Sequence, residues 1–210
     1  MTYYGIDISG WQAEIDLDEV AREGFSYVLV KATQGSDYVS PQYSTQRDAT
    51  LATGMFFGTY HYVSQEDAGI QVDNHERVEP NRSYPVMLDH EAGSGDISTL
   101  RAVCAEFQSR AYRVNLVYLP QWYWRDHIGS PDLTGLPPLA ASNYVNGTGY
   151  ASVLYPGDDD YRWTGYGGNT VAILQFSDRG QVAGLTLDVS AFRGDGTQLA
   201  ELFSAGGSTG

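Results

Sequence analysis

Apolar positions along the chain gather into eight short runs rich in β-branched and aromatic residues. They are YYGIDIS (3–9), SYVLVKAT (26–33), MFFGTYHYV (55–63), PVMLDHE (85–91), NLVYL (115–119), PLAASNY (138–144), TVAILQF (170–176) and VAGLTLDVS (182–190). Runs of this length and make-up predict strands. Four intervening segments carry helical spacing and punctuation: IDLDEVAREG, closed by Gly24; SPQYSTQRDATLATG, opened by Ser40 before Pro41; SQEDAGIQVDNHERV; and STLRAVCAEFQSRAYR. Strand and helix alternate through the first five runs, which implies parallel βα units. Beyond about residue 130 helical spacing fades and Gly, Pro, Asn and Asp accumulate, so the last three strands are predicted to be joined by loops. The expected fold is α/β, a closed barrel of eight strands with βα units in the first five and an irregular finish. In barrels of this kind the chemistry lies at the C-terminal ends of the strands.

Within that frame the ends of three strands stand out. Side chains alternate along a strand, so Asp89 and Glu91 in PVMLDHE share a face, ~6.6 Å apart along the backbone, while Leu88 and His90 take the other. Asp7 and Ser9 likewise point inward where Ile6 and Ile8 pack outward, and Asp188 closes GLTLDVS. Four acids, Asp7, Asp89, Glu91 and Asp188, therefore converge on one end of the barrel. Taken singly, an Asp at a strand end is often a turn former or helix cap. Two same-face acids ending an apolar strand are harder to explain as packing, because burying either without a partner is costly. An ion pair with Lys31 or an arginine is the main structural alternative.

Composition narrows the chemistry. The 210 residues are 42% hydrophobic, enough for one sizeable core, and residues 1–205 are read as one catalytic domain. The closing residues 206–210 are read as a flexible tail or the start of a linker. With 12 basic against 26 acidic residues and a formal charge of -14, a nucleic-acid partner is excluded and membrane insertion is not expected. A monomer is expected. The N-terminus shows no basic and apolar leader, and no stretch approaches a membrane span. Cys104 is alone, so no intrachain disulfide forms, and helical spacing around it predicts a buried thiol.

No metal and no cofactor are expected: His90 has the wrong parity to join the acids, and His61, His75, His90 and His127 show no paired spacing. No GxSxG elbow or exposed cysteine suggests a nucleophile scheme. Paired carboxylates without a metal suit glycoside hydrolysis, in which one acid protonates the leaving oxygen and another stabilises or attacks the oxocarbenium ion. Sugar rings also need aromatic faces. Trp11, Tyr60, Tyr62, Tyr118, Trp122 and Tyr144 lie beside the strand ends, among 16 Tyr and 4 Trp.

These segments resemble, in order and over nearly the whole chain, the glycoside hydrolase family 25 lysozymes, the Chalaropsis-type N-acetylmuramidases. GIDISGWQ (5–12) is similar to the family's opening strand, FSYVLVKATQG (25–35) to its second, GTYHYV (58–63) to its third and PVMLDHE (85–91) to its D-x-E strand. LQFSDRGQVAGLTLDVSAF (174–192) is similar to its closing pair. The resemblance implies a modified TIM-like (β/α)5(β)3 barrel that cleaves the β-1,4 bond between N-acetylmuramic acid and N-acetylglucosamine in bacterial peptidoglycan, with net retention. It also implies Glu91 as general acid/base, Asp89 as nucleophile or stabiliser of an acetamido-assisted intermediate, and Asp7 and Asp188 as further acids of the cleft. Gln175 is expected to join the aromatics in binding substrate.

The expected resting state has Glu91 protonated and Asp89 ionised, because several converging carboxylates cannot all ionise. The chain departs from the family at Leu139 and Leu174, where Trp is frequent, and at Gln34, where Glu is usual. These departures are expected to bear on sugar stacking. A chitinase-like or N-acetylglucosaminidase activity on the same type of barrel remains an alternative, as does a catalytically silent wall-binding module. The expected place of action is the bacterial cell wall; for a phage endolysin, synthesis in the host cytoplasm and release through membrane lesions would follow.

Overall fold

A computed structural model describes residues 2–204. The first five barrel strands are β1 (Thr2–Ile8), β2 (Tyr27–Gln34), β4 (Phe56–Tyr62), β5 (Val86–Asp89) and β6 (Val114–Tyr118). Each is followed by a helix: α1 (Leu17–Arg22), α2 (Tyr43–Thr53), α3 (Ala68–Val78), α4 (Ile97–Ser109) and the short α5 (Gln121–Asp126). A two-residue strand, β3 (Tyr38–Val39), turns back on the end of β2. Strands β7 (Leu139–Ser142), β8 (Val171–Val182) and β9 (Leu185–Arg193) complete the wall, with only the four-residue α6 (Ala151–Leu154) and a 3-10 turn between β7 and β8. Pairing runs parallel from β1 through β2, β4, β5, β6 and β7 to β8, then antiparallel from β8 to β9 and from β9 back to β1. The sheet is therefore a closed eight-stranded barrel, as expected.

Pleat parity separates two cores. Outward residues such as Ile6, Ile8, Val28, Val30, Leu88, Val117, Leu174 and Val189 meet the helices, with Leu100, Val103 and Phe107 of α4 packed over them. Inward residues Tyr27, Leu29, Tyr60, Met87, Leu116, Ala140, Ile173 and Phe192 fill the barrel itself. Cys104 is a buried free thiol on α4, as its helical spacing predicts.

Two features differ from the sequence reading. The last predicted strand, 182–190, is broken by a two-residue turn: Ala183 and Gly184 take φ of 48° and 76°, and Val182 pairs with Leu185. Consecutive positive φ values make a tight hairpin that matches strand twist, so β8 runs on to Val182 and β9 starts at Leu185. A further helix, α7 (Gly196–Phe203), follows the barrel. Its N-cap Asp195 accepts from the Gln198 amide N–H while the Gln198 side chain accepts from the Asp195 N–H, a reciprocal capping box. Leu199 and Phe203 then insert at the N-terminal mouth of the barrel, Phe203 lying 5.2 Å from the Tyr27 ring and 5.9 Å from Phe56. The tail expected at 206–210 lies outside the described residues.

The plug closes the end of the barrel opposite the acids. Phe203→Ala is expected to destabilise the fold by about 3–5 kcal/mol through loss of apolar contact and the cavity left behind. Urea unfolding is the check, and a change below about 1 kcal/mol would mean that α7 is an appendage rather than part of the core.

Candidate active site

The C-terminal face carries a groove whose parts meet at Glu91. One part, about 230 Å³, is lined by Asp7, Ser9, Trp11, Gln12, Lys31, Tyr38, Tyr60, Tyr62, Asp89, Glu91 and Asp188. A second, about 210 Å³, has Asp7, Tyr60, Met87, Asp89, Glu91, Tyr118, Tyr144, Gln175 and Asp188. A third, about 420 Å³, runs from Glu91 past Tyr118 and Tyr144 to Trp122 and Arg125. All four acids and all seven binding residues expected from the sequence thus lie along one groove.

Strand geometry sets the acids. Asp7 sits between the buried Ile6 and Ile8, and Asp89 ends β5 with Glu91 just beyond it. Past the strand, the Glu91 N–H donates to Ser94 Oγ at 3.1 Å and the His90 N–H donates to the Tyr118 carbonyl at 2.8 Å, holding the chain extended so that parity persists. His90 turns away, fully buried and 6.0 Å from the Tyr123 ring. Asp188 projects inward from β9 among Phe192 and Ser190, which share its parity.

Gln175 links the groove's two walls. Its Nε2 donates to Asp7 Oδ2 at 2.8 Å, while its Oε1 accepts from Tyr144 at 2.8 Å and Tyr118 at 3.1 Å. The amide therefore orients one acid and two aromatic rings at once. Trp11, on the 3-10 turn capped by Ser9, is 94% exposed, and Trp122 on α5 is 46% exposed. Both offer open ring faces at opposite ends of the groove. The hydroxyl of Tyr62 donates to the Ala92 carbonyl at 2.5 Å, which fixes that ring beside Glu91. Tyr60 departs from its expected part: only 9% exposed and packed with Met87, it forms the floor of the groove and presents no open face.

Lys31 does not form the structural ion pair that the sequence left open. No carboxylate lies within salt-bridge distance of it among the described residues; its Nζ donates to Gln34 Oε1 at 2.8 Å and lies 4.7 Å from the Tyr62 ring centre. A bulge in β2 between Lys31 and Thr33 brings Gln34 round to meet it. Leu139 and Leu174 are fully buried in the outer core, so neither departure from the family pattern touches the groove. Sequence reasoning missed Gln12, Tyr38, Gln121, Arg125 and Asn143 as groove residues. They stand on turns and short elements with no strand-end acid to mark them. No group of His, Cys, Asp and Glu among the described residues could hold a metal ion.

Electrostatically the cluster resists full ionisation. Burial, and secondarily the charge of Glu91, push the Asp7 carboxyl up to about 6 against the hydrogen bond from Gln175. Asp188 rises to about 8 through burial and then the neighbouring Asp7, Asp178 and Glu91. Burial raises both Asp89 and Glu91, with Lys31 opposing it at each. Both shifts have burial as their first cause, and Asp89 also faces the charge of Glu91, so the pair resists double ionisation.

A profile of the family described as Glycosyl hydrolases family 25 matches residues 6–185. Lysozyme M1 of Streptomyces globisporus is 24% identical over 94% of this chain and 70% of that protein. Among solved structures, a muramidase from Trichobolus zukalii superposes with a TM-score of 0.79 at 21% identity, covering 98% of this chain and all of that one. A family GH25 lysozyme from Aspergillus fumigatus gives 0.78 at 22% identity, covering 97% of this chain and all of that one. At these identities the structural likenesses bear on the fold.

The raised carboxyls have a cost in stability with a definite sign. Asp188 holds its proton more tightly folded than unfolded, so its contribution is most favourable below pH 4 and is lost as pH rises toward 8. Asp188→Asn is therefore expected to stabilise the fold at pH 8 by on the order of 1–2 kcal/mol, with no gain near pH 4. Denaturant unfolding at the two pH values checks this; equal effects at both would place Asp188 in a solvated, ordinary environment.

Proposed function

The chain belongs to glycosyl hydrolase family 25, and from that premise we propose that it is a lysozyme that cleaves the β-1,4 bond between N-acetylmuramic acid and N-acetylglucosamine in peptidoglycan. The observation that carries the assignment of roles is the position of Glu91, which lines all three parts of the groove while Asp89 lies buried beside it. A glycan lying along the groove brings a glycosidic oxygen to Glu91 from either end. Glu91 is thus the general acid and, in the second half-reaction, the base that activates water.

Asp89 is the partner carboxylate. The pair retains a proton because burial and mutual repulsion disfavour two charges. When the leaving oxygen approaches Glu91, that proton resides on Glu91 and Asp89 carries the negative charge, next to the developing oxocarbenium ion. From there Asp89 either bonds to the anomeric carbon or orients the substrate's acetamido oxygen to do so; water then restores the original configuration by either route. Asp7, held by Gln175, and Asp188 keep the surrounding charge balanced, while Trp11 and Trp122 stack against sugar faces beyond the reacting ring.

The place of action follows from the substrate: the bacterial cell wall. No helix among the described residues is long and apolar enough to cross a membrane. A phage endolysin domain working through membrane lesions fits this reading, with a monomer as the working unit.

Glu91→Gln is expected to lower lysis of purified cell walls by at least ~100-fold, the usual contribution of a positioned general acid, and Asp7→Asn by about tenfold. Mass spectrometry of borohydride-reduced digest products identifies the bond. Reduced muramic acid supports the proposal; reduced glucosamine would make the enzyme a glucosaminidase, and near-normal lysis by Glu91→Gln would remove that residue from the role of acid.

A further inference from the structure

Beyond Trp122 the groove does not end. Gln121, Ser142 and Asn143, which line the part running from Glu91, also line a pocket of about 260 Å³ completed by Tyr161, Arg162 and Thr164. This pocket is built on the loop between β7 and β8, where a 3-10 turn over Tyr161–Trp163 is capped by Asp160. None of the four catalytic acids reaches it.

Its chemistry is set by Arg162. The guanidinium is fixed on two sides: Nη1 donates to Asp160 Oδ1 at 2.9 Å, and the group lies 4.8 Å from the centre of the Tyr161 ring. Only 17% of the side chain is exposed, and its Nε has no acceptor among the described residues. The Arg162 side chain lines the pocket, and a pre-positioned guanidinium is suited to a carboxylate or amide oxygen. Among the described residues the side chains of Asn143, Tyr161 and Thr164, which line the pocket, make no hydrogen bond, so their donors can be used by a ligand. Because Asp160 offsets the charge of Arg162, the pocket works through directed hydrogen bonds more than through net attraction.

We propose that this pocket is a subsite for the peptide substituent of the glycan, with Arg162 donating to its amide or carboxylate oxygens. The inference rests on the reading of the chain as a peptidoglycan lysozyme. A bare polysaccharide has no planar acyl oxygen to offer to the side of its backbone, whereas a peptide branching from a sugar held near Glu91 extends by about 3.3 Å per residue and can follow the shared wall of Gln121, Ser142 and Asn143 into the pocket. In this pocket, away from the four acids, an acidic peptide meets hydrogen-bond donors. The subsite would make the enzyme discriminate wall strands by whether they still carry their stems.

Two variants test it, Arg162→Met and Thr164→Val, each checked for unchanged unfolding. The substrates are soluble glycan strands with intact peptide stems and the same strands after amidase removal of the stems. Wild type is expected to cleave stem-bearing strands with a kcat/KM about tenfold higher, chiefly through KM, the value of one good hydrogen bond to a charged donor. Arg162→Met should lose that advantage and match wild type on stripped strands; Thr164→Val should lose about threefold on the stem-bearing strands alone. An equal loss on both substrates, or no loss on either, overturns the proposal. Titration of the released stem peptide, followed by NMR at the Trp163 indole N–H, reads the subsite without hydrolysis. A shift that disappears in Arg162→Met upholds the subsite even if the glycan bond cleaved is not the one assigned above, and no shift in wild type counts against it.

Discussion

Four carboxyl groups at one end of a closed barrel repel each other and are all partly stripped of water, and the rest of the structure accommodates this. The barrel wall places Asp7, Asp89 and Asp188 on inward strand positions, each beside at least one buried apolar neighbour. The acids therefore cannot turn outward without carrying Ile6, Leu88 or Val189 out of the core. Fixed backbone and hostile surroundings together keep protons on groups that would lose them in water. This is the condition for acid catalysis near neutral pH.

The remaining polar groups of the groove limit that repulsion without cancelling it. Gln175 gives Asp7 one strong hydrogen bond and spends its carbonyl on Tyr118 and Tyr144, so the acid and the aromatic wall are coupled through one amide. Lys31 supplies positive charge beside Asp89 and Glu91, held by Gln34 and Tyr62 in place of a salt bridge. A direct ion pair would have fixed one carboxylate in its charged form and withdrawn it from proton transfer. At the far end of the barrel, Leu199 and Phe203 join the interior cluster that includes Tyr60 and Met87, so the groove has an apolar floor.

Much of this was legible in the sequence because strand parity is a strict rule. PVMLDHE could be read as a strand with two acids on one face, and the alternation in YYGIDIS fixed Asp7 by the same logic. The hairpin at Ala183 and Gly184 was not visible, since an Ala-Gly pair lacks the Asn or Asp that usually marks two positive φ values. Helix α7 lies outside the strand-helix alternation, although Asp195 and Gln198 have capping-box spacing. Parity places Tyr60 inward, but depth along the strand, which sequence does not reveal, puts it in the floor of the groove.

The claim on which the account rests is that burial keeps the acid cluster partly protonated in the free enzyme. Carboxyl-carbon NMR titration of the wild type, with each signal assigned by its Asn or Gln variant, measures it directly. Asp188 is expected to hold its proton to about pH 8 and Asp7 to about pH 6, and the Asp89 and Glu91 pair to lose its first proton above the ordinary carboxylate range. Four signals that all titrate between about pH 3 and 5, as in unperturbed side chains, would contradict it.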